Sequence, residues 1–309
     1  MSKKYMLKRI LWWFATCVIC AVAFFWVFAK EETKSLNNCV ISIWHIDTFE
    51  GGKGSRAAFL GKVAAMFEKE ESGNTVVMVG SRTVEGAKAA LEQGDRPDLI
   101  SFGSYFPYLT EMGEPTVWCR GGYAIYAKEN DFSLLSSTNC VLSVGGRNRS
   151  EVAAALYGMT GEVMLEDSTT AYVKFLNGEY RYLLGTQRDA CRFLSRGISV
   201  YCTPIAQFSD LQQYILSLSV ENKLTCEKFI KYLLSEKCQK LLPTIGMFSP
   251  IFKVYNSGEE LLCAMESVEP TYTVSPFIDD AARAAISQAA KNALLGGNRE
   301  VLKNFLKLT

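Results

Sequence analysis

Polar and aromatic side chains are concentrated in one loop near the start of the chain, between a predicted strand and a predicted helix. Trp44 lies at the end of the apolar run 39–46, and Asp47, Glu50 and Arg56 follow it closely. An aromatic face can stack on a ring-shaped ligand, carboxylates accept hydrogen bonds from hydroxyl groups, and a guanidinium donates them. The helix that follows also offers free backbone N–H groups at its start. This combination is typical of a binding site for a small polar molecule.

Three other positions carry polar or aromatic residues where predicted strands end or helices begin. Ser81 and Arg82 end the second predicted strand, and Tyr105 follows the third. Thr186 and Arg188 stand at the predicted start of a later helix. Ligands of open α/β sheets lie beyond the carboxyl ends of the strands. We therefore predict that these residues bind the same ligand as the first loop.

The sequence offers little for catalysis or metal binding. Its single histidine, His45, would have to serve any serine–histidine–aspartate triad. The eight cysteines beyond residue 38 show no CxxC spacing, which argues against a zinc site. Residues 52–57 only approximate a dinucleotide-binding fingerprint, because the second predicted strand does not end in an acidic residue. We therefore predict a protein that is not an enzyme and needs no cofactor or metal.

An apolar segment precedes these elements. Residues 10–29 are uncharged, and as a helix they would rise about 30 Å, the thickness of a bilayer core. Basic residues precede this segment and no acidic residue occurs before Glu31, which predicts that the remainder of the chain lies outside the cell. Three outcomes stay open: an uncleaved single-pass anchor in the cell membrane, which we favour, a signal peptide cleaved after Ala29 to give a secreted protein, and a lipid attached at Cys17 or Cys20.

Charge and cysteine content narrow the range of partners. Residues 1–29 hold four of the 33 basic residues and none of the 32 acidic ones, so the rest of the chain is slightly acidic. No basic face dominates, which predicts that nucleic acid is not a partner. Eight of the ten cysteines lie beyond the apolar segment. We interpret them as buried small apolar residues, while disulfides stay open for an exported protein.

Predicted strands and helices alternate beyond residue 38. Strands at 39–46, 75–80 and 98–102 are separated by helices at 55–70 and 83–91, an order that predicts a mostly parallel, doubly wound sheet. Later strands are predicted at 123–128, 140–144, 198–202 and 213–219, and later helices at 186–194, 225–242, 279–295 and 298–308.

Four segments occur in a characteristic order: IWHIDTFEGGKGSRAAFLGKVAAMFEKE, VVMVGSRTVEGAKAALEQGDRPDLISF, GGYAIYAKENDF and LTCEKFIKYLLSEKCQKLLPTIGMFSP. With them the chain resembles the extracellular solute-binding proteins of bacterial ABC importers, in the branch that binds sugars and related polar solutes. The resemblance covers about half of the chain beyond the apolar segment. It implies a two-lobed α/β fold of the type II periplasmic-binding-protein kind, with the ligand in a cleft between the lobes.

The resemblance also implies a division of the chain. Residues 1–38 would form the transmembrane or signal helix and a linker. Lobe one would comprise 39–118 and a return segment at 213–256, and lobe two would comprise 119–212. The C-terminal helices at 257–309 would pack across the lobes.

The implied function is capture of a small polar solute, with a sugar or oligosaccharide favoured, for the permease of an ABC importer or for a membrane sensor. The first alternative is an anion or organic acid held by Arg56, Arg82, Arg188 and helix N-termini. A degenerate, binding-protein-like sensor or interaction module is a further alternative, and an exported enzyme on the same scaffold is the least favoured.

Overall fold

Two five-stranded sheets organise the chain in the computed structural model, which describes residues 39–46, 53–71, 73–110 and 112–308. The predicted anchor at 10–29 lies outside the described residues. None of the helices within the described ranges has the length and apolar character needed to cross a bilayer.

The strands divide between two five-stranded sheets and one small pair. In chain order they are β1 (Cys39–Ile46), β2 (Thr75–Arg82), β3 (Leu99–Gly103), β4 (Thr116–Arg120), β5 (Tyr123–Ala127), β6 (Cys140–Val144), β7 (Met164–Asp167), β8 (Tyr182–Thr186), β9 (Tyr201–Pro204), β10 (Phe208–Ser209), β11 (Gln212–Ser217) and β12 (Tyr272–Thr273). The first sheet has the order β2-β1-β3-β11-β4 and the second has β7-β6-β8-β5-β9. In the first sheet β1 runs parallel to β2 and β3, as the alternation of strands and helices predicts.

Ten α-helices connect and cover the sheets within the described residues: α1 (Arg56–Glu70), α2 (Val84–Glu92), α3 (Ser150–Tyr157), α4 (Ser168–Asn177), α5 (Gln187–Ser195), α6 (Lys223–Leu233), α7 (Glu236–Gln239), α8 (Glu260–Glu266), α9 (Asp280–Leu294) and α10 (Arg299–Leu308). Short 3-10 helices occur at Pro107–Leu109, Ser137–Asn139 and Leu242–Ile245. Ser55 caps α1, because its hydroxyl accepts a hydrogen bond from Ala58 N at 3.2 Å.

Apolar side chains cover both faces of each sheet. In the first sheet Ile43 packs under α1 and α6, while Ile100 packs on the opposite face beside α2. In the second sheet Leu142 packs under α3, α9 and α10, and Val141 packs on the other face under α4, α5 and α8. These four cores account for most of the buried apolar residues and confirm the predicted two-lobed α/β fold.

The prediction of a single helix at 225–242 is wrong. The apolar period continues through the segment, but the helix ends near Leu234. The segment therefore consists of α6, α7 and a 3-10 helix. Ser235 adopts an extended conformation, with φ −65° and ψ 150°, and its carbonyl accepts the first bonds of α7. Serine competes for backbone hydrogen bonds within helices and favours such starts, so local chemistry outweighs the apolar period here.

Two short segments carry the chain between the sheets. Gly121 and Gly122 join β4 to β5, and residues 205–211 join β9 to β11. The two segments are bonded to each other, since Gly121 N donates to Leu211 O at 2.8 Å. The C-terminal part returns to both lobes: α9 and α10 pack on the second sheet, whereas Phe277 stacks on Phe102 of the first.

Candidate functional site

Each sheet contains one pair of neighbouring strands whose next segments cover opposite faces of the sheet. In the first sheet β1 leads to α1 on one face, while β3 leads to residues 104–109 on the other. In the second sheet β6 leads to α3 and β8 leads to α5, again on opposite faces. These are the switch points at which open α/β sheets leave room for a ligand.

The two switch points face one another. Arg147, in the loop after β6, donates a hydrogen bond to the carbonyl of Tyr105, just past β3. We call the junction between the loops after β3, β6 and β8 the interlobe crevice. Residues 47–52, which follow β1, lie outside the described residues, so Asp47 and Glu50 have no described position.

A buried carboxylate ties the crossing segment to both lobes. The hydroxyls of Tyr105 and Tyr123 each donate to Asp210 at 2.8 Å, and Arg149 N donates to the same carboxylate at 2.8 Å. Burial raises the pKa of Asp210 to about 6, although these donors oppose the shift. Tyr105 therefore lies within the junction of the lobes, bonded through both its hydroxyl and its carbonyl.

Charged groups surround the Tyr105 ring. The guanidinium carbons of Arg149 and Arg283 lie 5.9 and 6.0 Å from the ring centroid. Asp280 pairs with Arg283 at 2.8 Å and with Arg147 at 3.7 Å. Burial, followed by the nearby Arg149, lowers the pKa of Arg283.

A cavity of about 570 Å³ opens beside the crevice, at the carboxyl ends of β6 and β7. Its charged lining is balanced, with Arg149 and Lys291 opposed by Glu151 and Asp167. The starts of α3 and α4 form part of its wall, including Ser168. The volume is in the range of small-molecule sites, and the mixture of donors and acceptors suits a polar ligand.

A larger cavity, of about 870 Å³, lies elsewhere. It opens between α1 and α6 and is lined largely by apolar groups, including Phe67, Ile230 and Leu234. It is separate from the strand ends that meet at the crevice, where open α/β sheets bind their ligands. Size alone therefore does not make it the candidate site.

The residues predicted around the first loop divide between the two faces of the first sheet. Trp44 packs against the core on the α2 face, and the Arg82 guanidinium carbon lies 3.9 Å from its ring centroid. Ser81 is exposed beside Arg82 at the end of β2. Arg56 begins α1 on the opposite face. The structure thus brings Trp44 and Arg82 together and separates them from Arg56.

His45 is a packed, neutral side chain. Its Nδ1 lies 3.1 Å from the hydroxyl of Ser101, which also accepts a bond from Trp118 Nε1 at 3.1 Å. Burial, with a smaller effect of the Arg56 charge, lowers the pKa of His45 to about 3. The imidazole therefore stays uncharged at neutral pH and supports the end of β1.

Thr186 and Arg188 lie at the start of α5, where the second lobe meets the crevice. Thr186 N donates to Asp189 at 3.1 Å, and the Thr186 carbonyl accepts from Tyr126 at 2.7 Å. Arg188 is mostly buried, and its Nη1 lies 3.4 Å from the Ser168 hydroxyl on the cavity wall. Arg188 thus contacts the cavity wall through Ser168. The backbone of Thr186 stabilises the start of α5.

Of the residues at the junction of the lobes, sequence reasoning identified Tyr105 alone as a site residue. No motif surrounds Asp210, and Tyr123 lies in the GGYAIYAKENDF segment, which carried the resemblance without pointing to a binding role. The sequence could have identified Arg147 and Arg149, because they follow the pair Gly145–Gly146 directly after a predicted strand. A glycine-rich turn between a strand and a helix is a common ligand-binding arrangement.

Metal and disulfide chemistry find no support within the described ranges. No group of three or more histidine, cysteine, aspartate or glutamate side chains there could hold a metal ion. The described cysteines are all free, and several, such as Cys119 and Cys140, lie in the apolar cores. This agrees with the interpretation of those cysteines as packing residues.

Solved structures share this fold, although no family model and no curated protein matches the sequence. A probable secreted solute-binding lipoprotein from Streptomyces coelicolor aligns with a TM-score of 0.56 at 9% identity, covering 87% of this chain and 98% of that chain. The GacH receptor of Streptomyces glaucescens, solved unliganded and with acarbose, aligns with a TM-score of 0.53 at 14% identity, covering 87% and 98%. The maltose/maltodextrin-binding domain MalE of Bdellovibrio bacteriovorus, bound to maltotriose, aligns with a TM-score of 0.51 at 12% identity, covering 87% and 99%. At these identities the likeness establishes the fold.

Proposed function

We propose that this protein captures a small polar solute in the interlobe crevice and presents it to the permease of an ABC importer or to a membrane sensor. The observation that carries the proposal is topological. The switch points of two separate sheets face one another, and two short segments join the sheets beside them. The three solved proteins named above are, by their titles, a receptor in complex with acarbose, a maltodextrin-binding domain bound to maltotriose and a probable solute-binding lipoprotein, which supports the same role here.

The proposed mechanism is closure of the two lobes around the solute. Gly121 and Gly122 supply one of the two strand-to-strand connections between the sheets, and Gly122 N donates to the side chain of Gln187 at 3.1 Å. Because few residues cross between the sheets, a change in their backbone angles would move one lobe relative to the other. We take 39–118 with 213–256 as lobe one and 119–212 as lobe two.

A neutral polyhydroxylated solute, a sugar or short oligosaccharide, is the proposed ligand class. The cavity beside the crevice presents two cationic and two anionic side chains with several hydroxyls, so it carries no excess positive charge to hold an anion. Sugars use such mixtures of donors and acceptors. The proposed contacts are the cavity wall with Arg188, and the loop containing Asp47, Glu50 and Arg56.

The proposed location is the outer face of a cell membrane. The uncharged run 10–29, preceded by basic residues, supports a single-pass anchor with the folded domain outside. Cleavage after Ala29 would instead release the domain, with the same function in solution.

A thermal-shift screen of the purified full-length protein against sugars, oligosaccharides, amino acids and anions tests the function. A ligand at a hundredfold excess over its Kd adds about 2.7 kcal/mol to the free energy of unfolding. For a domain of this size we expect the melting temperature to rise by roughly 5–10 °C with a carbohydrate. A rise with anions alone would favour the anion alternative, and no rise with any class would favour a degenerate, interaction-type module.

A further inference from the structure

Tyr105 has a backbone conformation that residues with a side chain rarely adopt. Its φ is +68°, and within the described ranges every other residue with a positive φ is a glycine. In this left-handed region the Cβ atom of an L-residue lies too close to the following carbonyl oxygen, which costs free energy. A bulky residue persists there only when its surroundings hold it, and such positions are concentrated at functional and switching sites.

The Tyr105 ring enters the core of the opposite lobe. Tyr105 follows β3 of lobe one, and the next residue, Phe106, packs in lobe one with its ring centroid 5.5 Å from that of Phe102. The Tyr105 side chain is instead 1% exposed in the core of the second sheet, in the same cluster as Tyr123 and Leu142. Two adjacent residues of one loop thus belong to the cores of different lobes.

Contacts from outside lobe one hold Tyr105 in this position. Its hydroxyl donates to Asp210 at 2.8 Å, and its carbonyl accepts a hydrogen bond from Arg147. The guanidinium carbons of Arg149 and Arg283 lie 5.9 and 6.0 Å from the ring centroid, within the range of cation–π interactions. These groups belong to the loop after β6, to α9 on the second sheet and to the segment that joins the sheets. Separation of the lobes would break these contacts.

We propose that Tyr105 is a strained latch between the lobes: its contacts hold the lobes in the observed arrangement, and relaxation of its backbone favours their separation. The inference rests on the proposed function, since it names the residue that sets how readily the crevice opens for a solute. In the latched arrangement the contacts compensate for the left-handed backbone. Once the lobes separate, Tyr105 returns to a negative φ. The two effects oppose each other, so the energy gap between the arrangements stays small enough for a solute to shift the equilibrium.

The latch acts on solute binding through the position of the lobes. The Tyr105 side chain is buried, and it does not form part of the wall of the cavity beside the crevice. The apparent affinity for a solute falls in proportion to the fraction of molecules in the binding-competent arrangement. Tyr105 is therefore a positioning residue, and its effect is measurable without any solute.

Single-molecule energy transfer on the purified full-length protein, with no solute added, tests the latch. Donor and acceptor dyes are attached to p-acetylphenylalanine in place of Gln93 on lobe one and Val173 on lobe two, both exposed, so the cysteines stay unlabelled. Tyr105→Phe removes only the hydroxyl and keeps the ring. Tyr182→Phe is the matched control, because the Tyr182 hydroxyl also donates at 2.8 Å, to Asp131 O, but both residues belong to lobe two.

In the wild type we expect most molecules to show the transfer efficiency of the observed arrangement and a minority to show a second, open one. Tyr105→Phe should raise the open-to-latched ratio by about fivefold or more, because the buried Asp210 loses a donor that lobe one supplies. Tyr182→Phe should leave the ratio within about twofold of the wild type. An unchanged ratio in Tyr105→Phe, or an equal rise in Tyr182→Phe, overturns the latch. A single transfer efficiency in every protein also overturns it, because the lobes would then not separate.

A second pair of variants tests the strain. Tyr105→Ala and Tyr105→Gly both remove the ring and the hydroxyl, but only alanine keeps the Cβ atom that the left-handed backbone disfavours. The open-to-latched ratio should therefore be larger in Tyr105→Ala by about threefold or more. Phe106 remains packed in lobe one, so glycine gains little additional freedom when the lobes separate. Equal ratios in the two variants, or a larger ratio in Tyr105→Gly, would show that strain does not favour release.

Because the measurement uses no solute, the latch and the proposed function can fail separately. A rise in the open population in Tyr105→Phe alone, with no solute found in the thermal-shift screen, supports the latch and rejects solute capture. Binding of a solute by the wild type, with the same open-to-latched ratio in Tyr105→Phe as in the wild type, rejects the latch and leaves solute capture in place.

Discussion

Two buried titratable residues have opposite effects on how stability depends on pH. Asp210 has a pKa raised to about 6, so the folded state binds a proton more readily than the unfolded chain. His45 has a pKa lowered to about 3, so the folded state resists protonation. Each shift follows from burial, and each predicts a measurable change in the free energy of unfolding with pH.

Asp210 should contribute most to stability at low pH, where its carboxyl group is protonated in the folded state. Its stabilising effect is complete below the unfolded pKa of about 4 and is lost as the pH rises through 6. Between pH 7 and pH 4, the wild-type protein should therefore gain about 2 kcal/mol of unfolding free energy relative to Asp210→Asn. Urea denaturation of both proteins at the two pH values measures this. His45 is common to both proteins, so its contribution cancels, and parallel pH profiles would contradict the assignment.

His45 should act in the opposite direction. Stability from the neutral imidazole is present above the unfolded pKa of about 6.5 and is lost as the pH falls towards 3. Between pH 7 and pH 4.5 the wild type should therefore lose up to about 3 kcal/mol more unfolding free energy than His45→Asn loses. This is the only histidine in the chain, so no other imidazole confuses the comparison. Identical acid sensitivity in both proteins would show that His45 is not buried as described.

At the scale of elements, the start of α5 packs against a turn of the other lobe. Gly246 ends the 3-10 helix Leu242–Ile245 with φ +67°, and a Cβ placed there would approach the Cys191 sulfur to 2.8 Å. Gln187, also in α5, has its amide nitrogen 3.3 Å from the Met247 sulfur. A small residue at 246 thus allows the two lobes to approach closely at this point.

Two glycine-to-alanine substitutions distinguish the cost of the close contact at position 246 from the cost of the left-handed backbone. Gly178 also has a positive φ, +81°, but a Cβ there would meet nothing within 4 Å. Gly178→Ala should cost about 1 kcal/mol through its left-handed conformation alone, and Gly246→Ala should cost about 1–2 kcal/mol more. Cys191→Ala should lower stability less when added to Gly246→Ala than when added to Gly178→Ala, because in the first case it also removes the close contact. Guanidinium denaturation of the wild type, the two single glycine variants and the two double variants measures this, and equal losses at the two glycines would contradict the described packing.

Local patterns in the sequence predict most of the elements but not every boundary. The alternation of apolar and polar residues predicts β1 to β3 and their helices because those periods are local. The break at Ser235 is missed because the apolar stripe continues across it. Trp44 and His45 must point to opposite faces of a strand, so the sequence already implies that only one of them can face the helix that begins at Arg56.

At the scale of the whole molecule, the fold is predictable and the junction of the lobes is not. The two-lobed α/β fold follows from strand order and from the resemblance of four segments. The bond between Tyr105 and Asp210 joins residues 105 positions apart, and no local period reveals such a pair. The crevice is built from loops of several strands, so its membership is known only once the sheet order is known.

Calorimetric titration with the solute found in the screen tests the central claim, capture at the interlobe crevice, most directly. Arg188 follows the crevice end of β8, whereas Arg181 precedes the other end of the same strand and pairs with Asp131 at 2.8 Å. Arg188→Ala and Arg56→Ala should each weaken binding by about 5- to 150-fold, because removing a hydrogen-bonding partner in a closed site costs roughly 1–3 kcal/mol. Arg181→Ala should bind like the wild type.

Trp44→Ala, Asp47→Ala and Glu50→Ala extend the same titration to the rest of the first loop, and we expect at least one of them to weaken binding fivefold or more. The melting temperature of each empty variant reports whether a loss of affinity reflects a loss of fold. Wild-type affinity in Arg188→Ala, Arg56→Ala and all three loop variants would contradict the account, because the solute would then bind outside the crevice.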